Sequence, residues 1–268
     1  RPDLVVSVVP NFSRELYEGL RAARPAVPYV TVLTDMADYP PHFWMERQEQ
    51  DFVCGTDRAV EQARALGHSP ERIFRTSGMI LRPRFYEPRE IDRPAERARL
   101  GLAPSAPLGL VLFGGQGAPV MLDVARRLPD TPLILICGRN DKLGQRLRSE
   151  SSRAPRVVLG FTEDVPFYMR LADFFIGKPG PGSISEAMAM GLPVILERNA
   201  WTLPQERYNA DWVLEREVGV VLRSFRGIRS AVDQVLGSLG VFRTNVARIE
   251  NRAVFEIPEM LERVLGRR

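Results

Sequence analysis

Gly177-Lys178-Pro179-Gly180-Pro181-Gly182-Ser183-Ile184-Ser185-Glu186-Ala187 is the stretch whose residue types and spacing point most directly to chemistry. It follows the apolar run Ala172-Asp173-Phe174-Phe175-Ile176 and precedes Ile184, Ala187, Met188 and Met190, which share one side of a short helix. A glycine-rich turn between a strand and a helix start aims backbone N–H groups and the positive end of the helix dipole at one point. Gly177, Gly180 and Gly182 carry no Cβ, so an anion can approach the backbone closely; a phosphate or diphosphate suits the place. The same residues also have a purely structural reading. Ser183-x-x-Glu186 has the form of a capping box, and Pro and Gly are ordinary turn residues.

Four other segments carry candidate binding groups. Gly114-Gly115-Gln116-Gly117 follows the apolar run at 108–113; it departs from G-x-G-x-x-G and reads either as a second anion turn or as a tight strand-to-helix loop. Arg139, in Cys137-Gly138-Arg139-Asn140, can meet a phosphate or a base, or simply lie on the surface. Phe161, in Gly160-Phe161-Thr162, can lie beside a nucleobase or in the core. In Trp201-Thr202-Leu203-Pro204-Gln205-Glu206-Arg207-Tyr208-Asn209, residues Gln205 and Asn209 stand one helical turn apart; with Glu206 they suit sugar hydroxyls or an exposed helix end.

The elements that must position these groups are legible as alternating patterns. Strand-like runs at 108–113, 132–137, 157–161, 173–177, 193–197 and 218–222 alternate with helical stretches near 118–128, 140–149, 165–171, 183–190 and 204–216. Continuous apolar strands separated by helices predict an α/β fold with a parallel sheet, where ligands bind at the carboxyl ends of strands. The first 85 residues read the same way, with strands at 4–9, 29–33, 52–54 and 73–75 and helices at 12–23 and from Thr56 or Asp57 to Ala65. The charged, two-proline stretch near 86–97 reads as a linker.

Composition narrows the classes. The chain has 268 residues, 44% hydrophobic and 26% charged, which fits a globular protein and no apolar run of membrane-span length. Net charge is +4 and the only lysines are Lys142 and Lys178, so the basic excess is almost all arginine. That excess allows association with an anionic membrane surface. No basic run interleaved with aromatics is present, so no nucleic-acid partner is expected. Cys54 and Cys137 have no metal or disulfide spacing and read as small buried thiols. No Asp-x-Asp pair and no His/Cys/Asp cluster appears, so neither a metal nor a cofactor is expected.

In order, the segments are Gly-Gly-Gln-Gly, Cys-Gly-Arg-Asn, Gly-Phe, Lys-Pro-Gly-Pro-Gly-Ser-x-x-Glu-Ala and Pro-Gln-Glu-x-x-Asn. Together they resemble the monogalactosyldiacylglycerol synthases and the processive diacylglycerol glucosyltransferases, and more distantly the peptidoglycan GlcNAc transferase. Thr34-Asp35 with downstream Trp44, and Gly78-Met79-Ile80-Leu81-Arg82-Pro83-Arg84-Phe85, are similar to the lipid enzymes in particular.

The resemblance implies a GT-B-like fold of two Rossmann-like domains, laid out as a partial N-terminal acceptor domain at 1–88, a linker at 89–97, a donor domain at 98–255 and a C-terminal helix at 256–268. It implies an inverting hexosyl transfer from a UDP-sugar, used as co-substrate, to a lipid acceptor such as diacylglycerol, in the cytoplasm and peripheral on the inner membrane face. Carried over by position, Gly114, Gly115, Gln116 and Gly117 lie near the diphosphate, Arg139 and Phe161 frame the uracil, and Gly180, Pro181, Gly182 and Ser183 meet the phosphates. Glu186 takes the ribose hydroxyls, and Gln205, Glu206 and Asn209 face the donor sugar. Asp35 and His42 are the ionisable residues nearest the expected cleft, and read equally as a turn aspartate and a surface histidine. The family opens with a strand and a glycine-rich, His-containing loop, whereas Arg1-Pro2-Asp3-Leu4 matches a point inside the acceptor domain. The acceptor domain is therefore expected to be incomplete and the general base to lie outside this sequence. A sugar-nucleotide 2-epimerase and a nucleotide-sugar-binding module without transferase activity are the alternatives.

Overall fold

A computed structural model describes residues 2–39 and 42–267. The chain forms two compact units: the described residues of Arg1–Pro83, Leu203–Asn209 and Glu250–Arg268, and those of Arg84–Thr202 with Ala210–Ile249.

The first unit is built on β1 (Val5–Ser7), α1 (Ser13–Ala23), β2 (Tyr29–Val32), β3 (Asp51–Cys54), α2 (Asp57–Ala65) and β4 (Ile73–Arg75). Its four strands pair in parallel in the order β1-β2-β3-β4. β2 and β3 are buried along their whole length, which is why their sequences are apolar or β-branched apart from Asp51 at the head of β3. Thr56 caps α2, its Oγ1 accepting the Ala59 N–H at 3.2 Å. Ala59 and Ala63 of α2 pack with Phe52, Cys54, Trp44 and Met45 into one core cluster. Burial pushes the Cys54 thiol up to about 12, so it is inert packing as expected.

The second unit runs through α3 (Arg93–Arg99), β5 (Gly109–Leu112), α4 (Val120–Arg127), β6 (Leu133–Ile136), α5 (Asp141–Ser149), β7 (Arg156–Leu159), α6 (Val165–Leu171), β8 (Phe174–Gly177), α7 (Pro181–Ala189) and β9 (Val194–Glu197). It continues through α8 (Arg207–Glu215), whose first three residues count with the first unit, then β10 (Gly219–Leu222), α9 (Ile228–Gly237) and α10 (Leu239–Ala247). The six strands are parallel in the order β10-β9-β8-β5-β6-β7. The chain winds outward from β5 through β6 to β7, then returns to place β8 on the other side of β5. The sheet therefore has its topological switch between β5 and β8. Met121, Leu122, Val124 and Ala125 of α4, with Ile228, Ala231, Val232 and Val235 of α9, pack against Val111, Leu133, Leu135, Ile176 and Ile195 of the strands.

The last residues of the expected linker, 93–97, belong to α3, which runs on to Arg99. Asp92 caps it by accepting the Ala95 N–H at 3.0 Å, and Pro94 sits in the first turn, where a missing N–H costs no helical bond. Arg97 of α3 is buried and donates to the Asp173 carboxylate at 2.7 Å and to the carbonyls of Leu171, Pro104 and Ala106. Arg93 and Arg243 reach the other Asp173 oxygen at 3.0 and 2.8 Å.

After α10 the chain rejoins the first unit as α11 (Ala253–Leu265). Ala253, Ile257 and Val264 of α11 cluster with Val30, Val32 and Val53 of β2 and β3. Just past the helix, Arg267 donates to Asp51 Oδ1 at 2.8 Å and to the Glu71 carbonyl, and stacks over Phe74 at 5.1 Å. The Asp51 side chain is 5% exposed, and its next cation, Arg72, is 3.8 Å away. Arg267→Ala is therefore expected to cost the first unit about 2 kcal/mol, the worth of a hydrogen bond to a charged group left without its donor. Urea denaturation of the two proteins checks this; an unchanged midpoint would show that the clasp adds nothing.

Candidate functional site

All the glycine-rich and aromatic candidates of the second unit fall just past the carboxyl ends of adjacent strands, on loops or, for Pro181 and Gly182, in the first turn of α7. Gly114, Gly115, Gln116 and Gly117 follow β5, Arg139 follows β6, Phe161 follows β7, and Gly180, Pro181 and Gly182 follow β8. The two glycine turns leave the sheet from β5 and β8, the strands that flank the switch.

The loops after β5 and β6 are locked to each other. The Arg139 N–H donates to the Gly115 carbonyl at 2.9 Å, and Asn140 Nδ2 donates to the Gln116 carbonyl at 3.2 Å. Gly138 has φ +60°, and a Cβ there would meet the Gly115 carbonyl oxygen at 2.2 Å. Gly117, at φ +57°, is crowded in the same way by the Cys137 carbonyl, 2.8 Å from where its Cβ would stand. These two positions admit only glycine without moving backbone. Asn140 also caps α5, its Oδ1 accepting the Leu143 N–H at 3.0 Å. Asparagine before a helical stretch signals that cap; nothing local signals the tie to Gln116.

Arg139 and Phe161 do come together. The guanidinium lies over the Phe161 ring, 4.9 Å from its centroid, and the ring is 55% exposed. The two are stacked on each other, which leaves no room for a base between them. A flat ligand has to lie beside this pair or part it.

The turn after β8 excludes the capping-box reading of Ser183 and Glu186. Gly180 is the N-cap of α7, with no side-chain cap bond, and Pro181 opens the helix. The first helical bond of the turn runs from the Ile184 N–H to the Gly180 carbonyl at 3.1 Å. Ser183 and Glu186 thus lie inside the helix and do not form a capping box, because Pro181, pre-organised for a first turn, starts the helix before Ser183. The Gly182 and Ser183 N–H groups precede that first bond and stand at the positive end of the α7 dipole. A Cβ at Gly182 would meet nothing within 4 Å.

The remaining candidates belong to the first unit. Asp35 Oδ2 accepts the indole N–H of buried Trp44 at 2.9 Å. His42 has φ +69°, an exposed side chain, and Nδ1 at 3.1 Å from the Met45 carbonyl. A carbonyl only accepts, so Nδ1 carries a proton here. What shapes this loop is Asp38, which sequence reasoning missed. Its buried carboxylate accepts the Trp44 N–H at 2.7 Å and the His42 N–H at 3.3 Å, while Gln62 pairs with its backbone N–H and carbonyl. Burial raises the Asp38 carboxyl above the usual range against the pull of those N–H groups. Of the last three candidates, Gln205 and Glu206 lie in a 3-10 turn, Pro204–Glu206, and Asn209 in α8; Glu206 and Asn209 are buried.

Residues 110–210 match the glycosyltransferase family 28 C-terminal domain. Over 251 residues the chain is 32% identical to the chloroplastic monogalactosyldiacylglycerol synthase of Spinacia oleracea, covering 88% of this chain and 47% of that protein. The chain spans about half the length of the curated relatives it matches. Its fold is similar to that of Acinetobacter baumannii MurG (TM-score 0.67, 13% identity, 97% of this chain and 73% of that one). It is also similar to that of Anabaena HepE in complex with UDP (TM-score 0.62, 17% identity, 99% and 79%). At these identities the likeness is one of fold, and the α/β, GT-B-like architecture expected from the sequence is the one found. Residues 110–210 are thus the C-terminal domain of glycosyltransferase family 28, within a chain homologous over most of its length to the plant monogalactosyldiacylglycerol synthases.

Proposed function

We propose that this chain binds a UDP-sugar and belongs to an inverting hexosyltransferase whose acceptor is a lipid such as diacylglycerol. The observation that carries the reading is the pair of glycine turns on β5 and β8, flanking the switch, with the α7 N-terminus beside one of them. In this reading Gly114, Gly115, Gln116 and Gly117 line the diphosphate, and the backbone N–H groups at the α7 N-terminus bind its oxygens. Arg139 and Phe161 hold the uracil, Glu186 accepts the ribose hydroxyls, and Gln205, Glu206 and Asn209 take the hexose.

The acceptor hydroxyl attacks the anomeric carbon from the face opposite the leaving diphosphate, so configuration inverts. Negative charge grows on the diphosphate as the bond breaks, and fixed N–H groups and the helix dipole stabilise that charge more than the ground state. In this reading Asp35 and His42 are ionisable groups of the acceptor side, and the neutral His42 ring with its proton on Nδ1 can accept a hydrogen bond at Nε2 from a hydroxyl. No helix among the described residues is long and apolar enough to cross a membrane. The arginine-rich, net positive chain suits an anionic membrane surface, where we place its acceptor.

Titration calorimetry with UDP tests the donor half. The unaltered chain is expected to bind UDP, and Glu186→Ala to weaken binding about tenfold or more through lost hydrogen bonds to a charged group. Unchanged affinity in that variant would remove Glu186 from the site. Transfer from UDP-galactose or UDP-glucose to diacylglycerol by the protein of which this chain is part tests the other half; conversion of UDP-GlcNAc without acceptor would instead mark an epimerase.

A further inference from the structure

The chain has three tryptophans. Trp44 is buried and Trp212 half-buried, but Trp201 is 91% exposed. Its loop is built to keep it so. The Trp201 N–H donates to Asn199 Oδ1 at 2.8 Å, the Asn199 N–H to Thr202 Oγ1 at 2.9 Å, and the Thr202 N–H to the Asn199 carbonyl at 3.2 Å. Three bonds within four residues close a tight tip on both sides of the tryptophan and leave its side chain outside. An indole, with two torsions and a large apolar face, loses little freedom when a ligand covers it.

The place of this tip in the sheet identifies the ligand. Trp201 follows β9, which pairs with β8 so that Gly177, at the root of the phosphate turn, stands opposite Leu196. Reading across the strand ends in sheet order gives Phe161 after β7, Arg139 after β6, Gly114 to Gly117 after β5, Gly180 to Gly182 after β8, and Trp201 after β9. That order is aromatic–guanidinium pair, anion turn, anion turn, aromatic face. A sugar nucleotide has the same order: base, diphosphate, hexose. From β6 to β9 is three strand intervals, about 14 Å at the ordinary interstrand spacing.

Resting on the UDP-sugar reading above, we infer that Trp201 is the stacking platform for the hexose of the donor. Its indole covers the apolar face of the pyranose ring when a nucleotide sugar lies across the strand ends, and contributes to binding the sugar rather than the nucleotide. It is a specificity contact, distinct from the polar groups that meet the hydroxyls.

The test uses the 268-residue chain, Trp201→Ala, and Trp201→Phe, which keeps an aromatic face. Affinities for UDP, UDP-galactose and UDP-glucose are measured by calorimetry, and acrylamide quenching of tryptophan fluorescence is followed alongside. Trp201→Ala is expected to lose about tenfold in affinity for a UDP-hexose with little change for UDP, and Trp201→Phe to lose less than about threefold. Saturating UDP-hexose is expected to shield the exposed tryptophan from acrylamide while UDP is not, with no such shielding in Trp201→Phe. An unchanged ratio of UDP-hexose to UDP affinity in Trp201→Ala would overturn the inference. So would shielding produced by phosphatidylglycerol vesicles and not by nucleotide sugar, which would make the tip a membrane contact. No UDP binding by the unaltered chain would instead overturn the donor reading, and the platform with it.

Discussion

Gly138→Ala is expected to abolish tight UDP binding, although in our reading Gly138 need not touch the nucleotide. The new Cβ would lie 2.2 Å from the Gly115 carbonyl oxygen and 2.5 Å from its carbon, at φ +60°. Both neighbours are backbone, so no flexible side chain can yield. A non-glycine residue in this left-handed region costs about 1–2 kcal/mol by itself, and the overlap must push the loops after β5 and β6 apart. That separation breaks the bond from the Arg139 N–H to Gly115 and strains the one from Asn140 to Gln116. It displaces the first glycine turn and the Arg139–Phe161 stack together. We expect the dissociation constant for UDP to rise about a hundredfold, a loss of about 2.8 kcal/mol.

Gly182→Ala separates this effect from direct contact. Its Cβ meets nothing within 4 Å in the free chain, and alanine suits a helix better than glycine by about 1 kcal/mol. Its stability should hold or rise, and its backbone N–H remains. Any affinity lost by Gly182→Ala therefore measures a ligand approaching closer than a methyl group allows. Calorimetry with UDP on both variants decides: a Gly138→Ala protein that binds as before would dissolve the loop lock, and a neutral Gly182→Ala would move the phosphate away from the α7 turn.

Most of the second unit is legible in the sequence because the central strands of its sheet are buried along their whole length. The runs at 108–113 and 132–137 are unbroken apolar stretches, that at 173–177 is one after its leading Asp173, and the structure has β5, β6 and β8 inside them. The positions of the candidate binding residues follow, since each lies just past a strand. Their mutual geometry does not follow. Arg139 and Phe161 are each legible as candidates to lie beside a base, but nothing in their own segments says that they stack on each other. Proline misleads twice in the same way. Pro94 reads as a linker residue and Pro181 as turn chemistry, yet both stand in the first turn of a helix, where a fixed φ helps. The destination of α11 is invisible for a different reason. Its apolar face predicts burial, but the Arg267–Asp51 pair joins residues 216 positions apart, and no local pattern encodes such a partner. Asp38 is hidden likewise, because a buried aspartate that accepts backbone N–H groups looks in sequence like any turn aspartate.

Asp173→Asn is expected to be among the most destabilising conservative changes in the second unit. Asp173 precedes β8 at the amino end of the sheet, away from the candidate site, and exchanges backbone and side-chain bonds with Leu108, next to β5. Its side chain is 13% exposed and faces Arg97, Arg93 and Arg243, of which Arg97 is only 4% exposed. Asparagine keeps the shape but leaves a buried guanidinium without its counter-charge, which costs about 3–5 kcal/mol. For a unit of this size that is a fall of about 6–20 °C in melting temperature. The pH dependence gives an independent check. Burial pushes the Asp173 carboxyl up, but the bonds from Arg97, the Leu108 N–H and Arg93 together hold it below its ordinary value. A carboxyl depressed by folding stabilises above its unfolded pKa, about 4, and that stability is lost as pH falls through the lower folded value. The unaltered chain should therefore lose stability below about pH 4, and Asp173→Asn should lose correspondingly less over the same range. Thermal unfolding followed by circular dichroism from pH 7 to pH 3 measures both. Parallel curves for the two proteins below pH 4 would show that the arginines around Asp173 are held by their carbonyl partners and not by its charge.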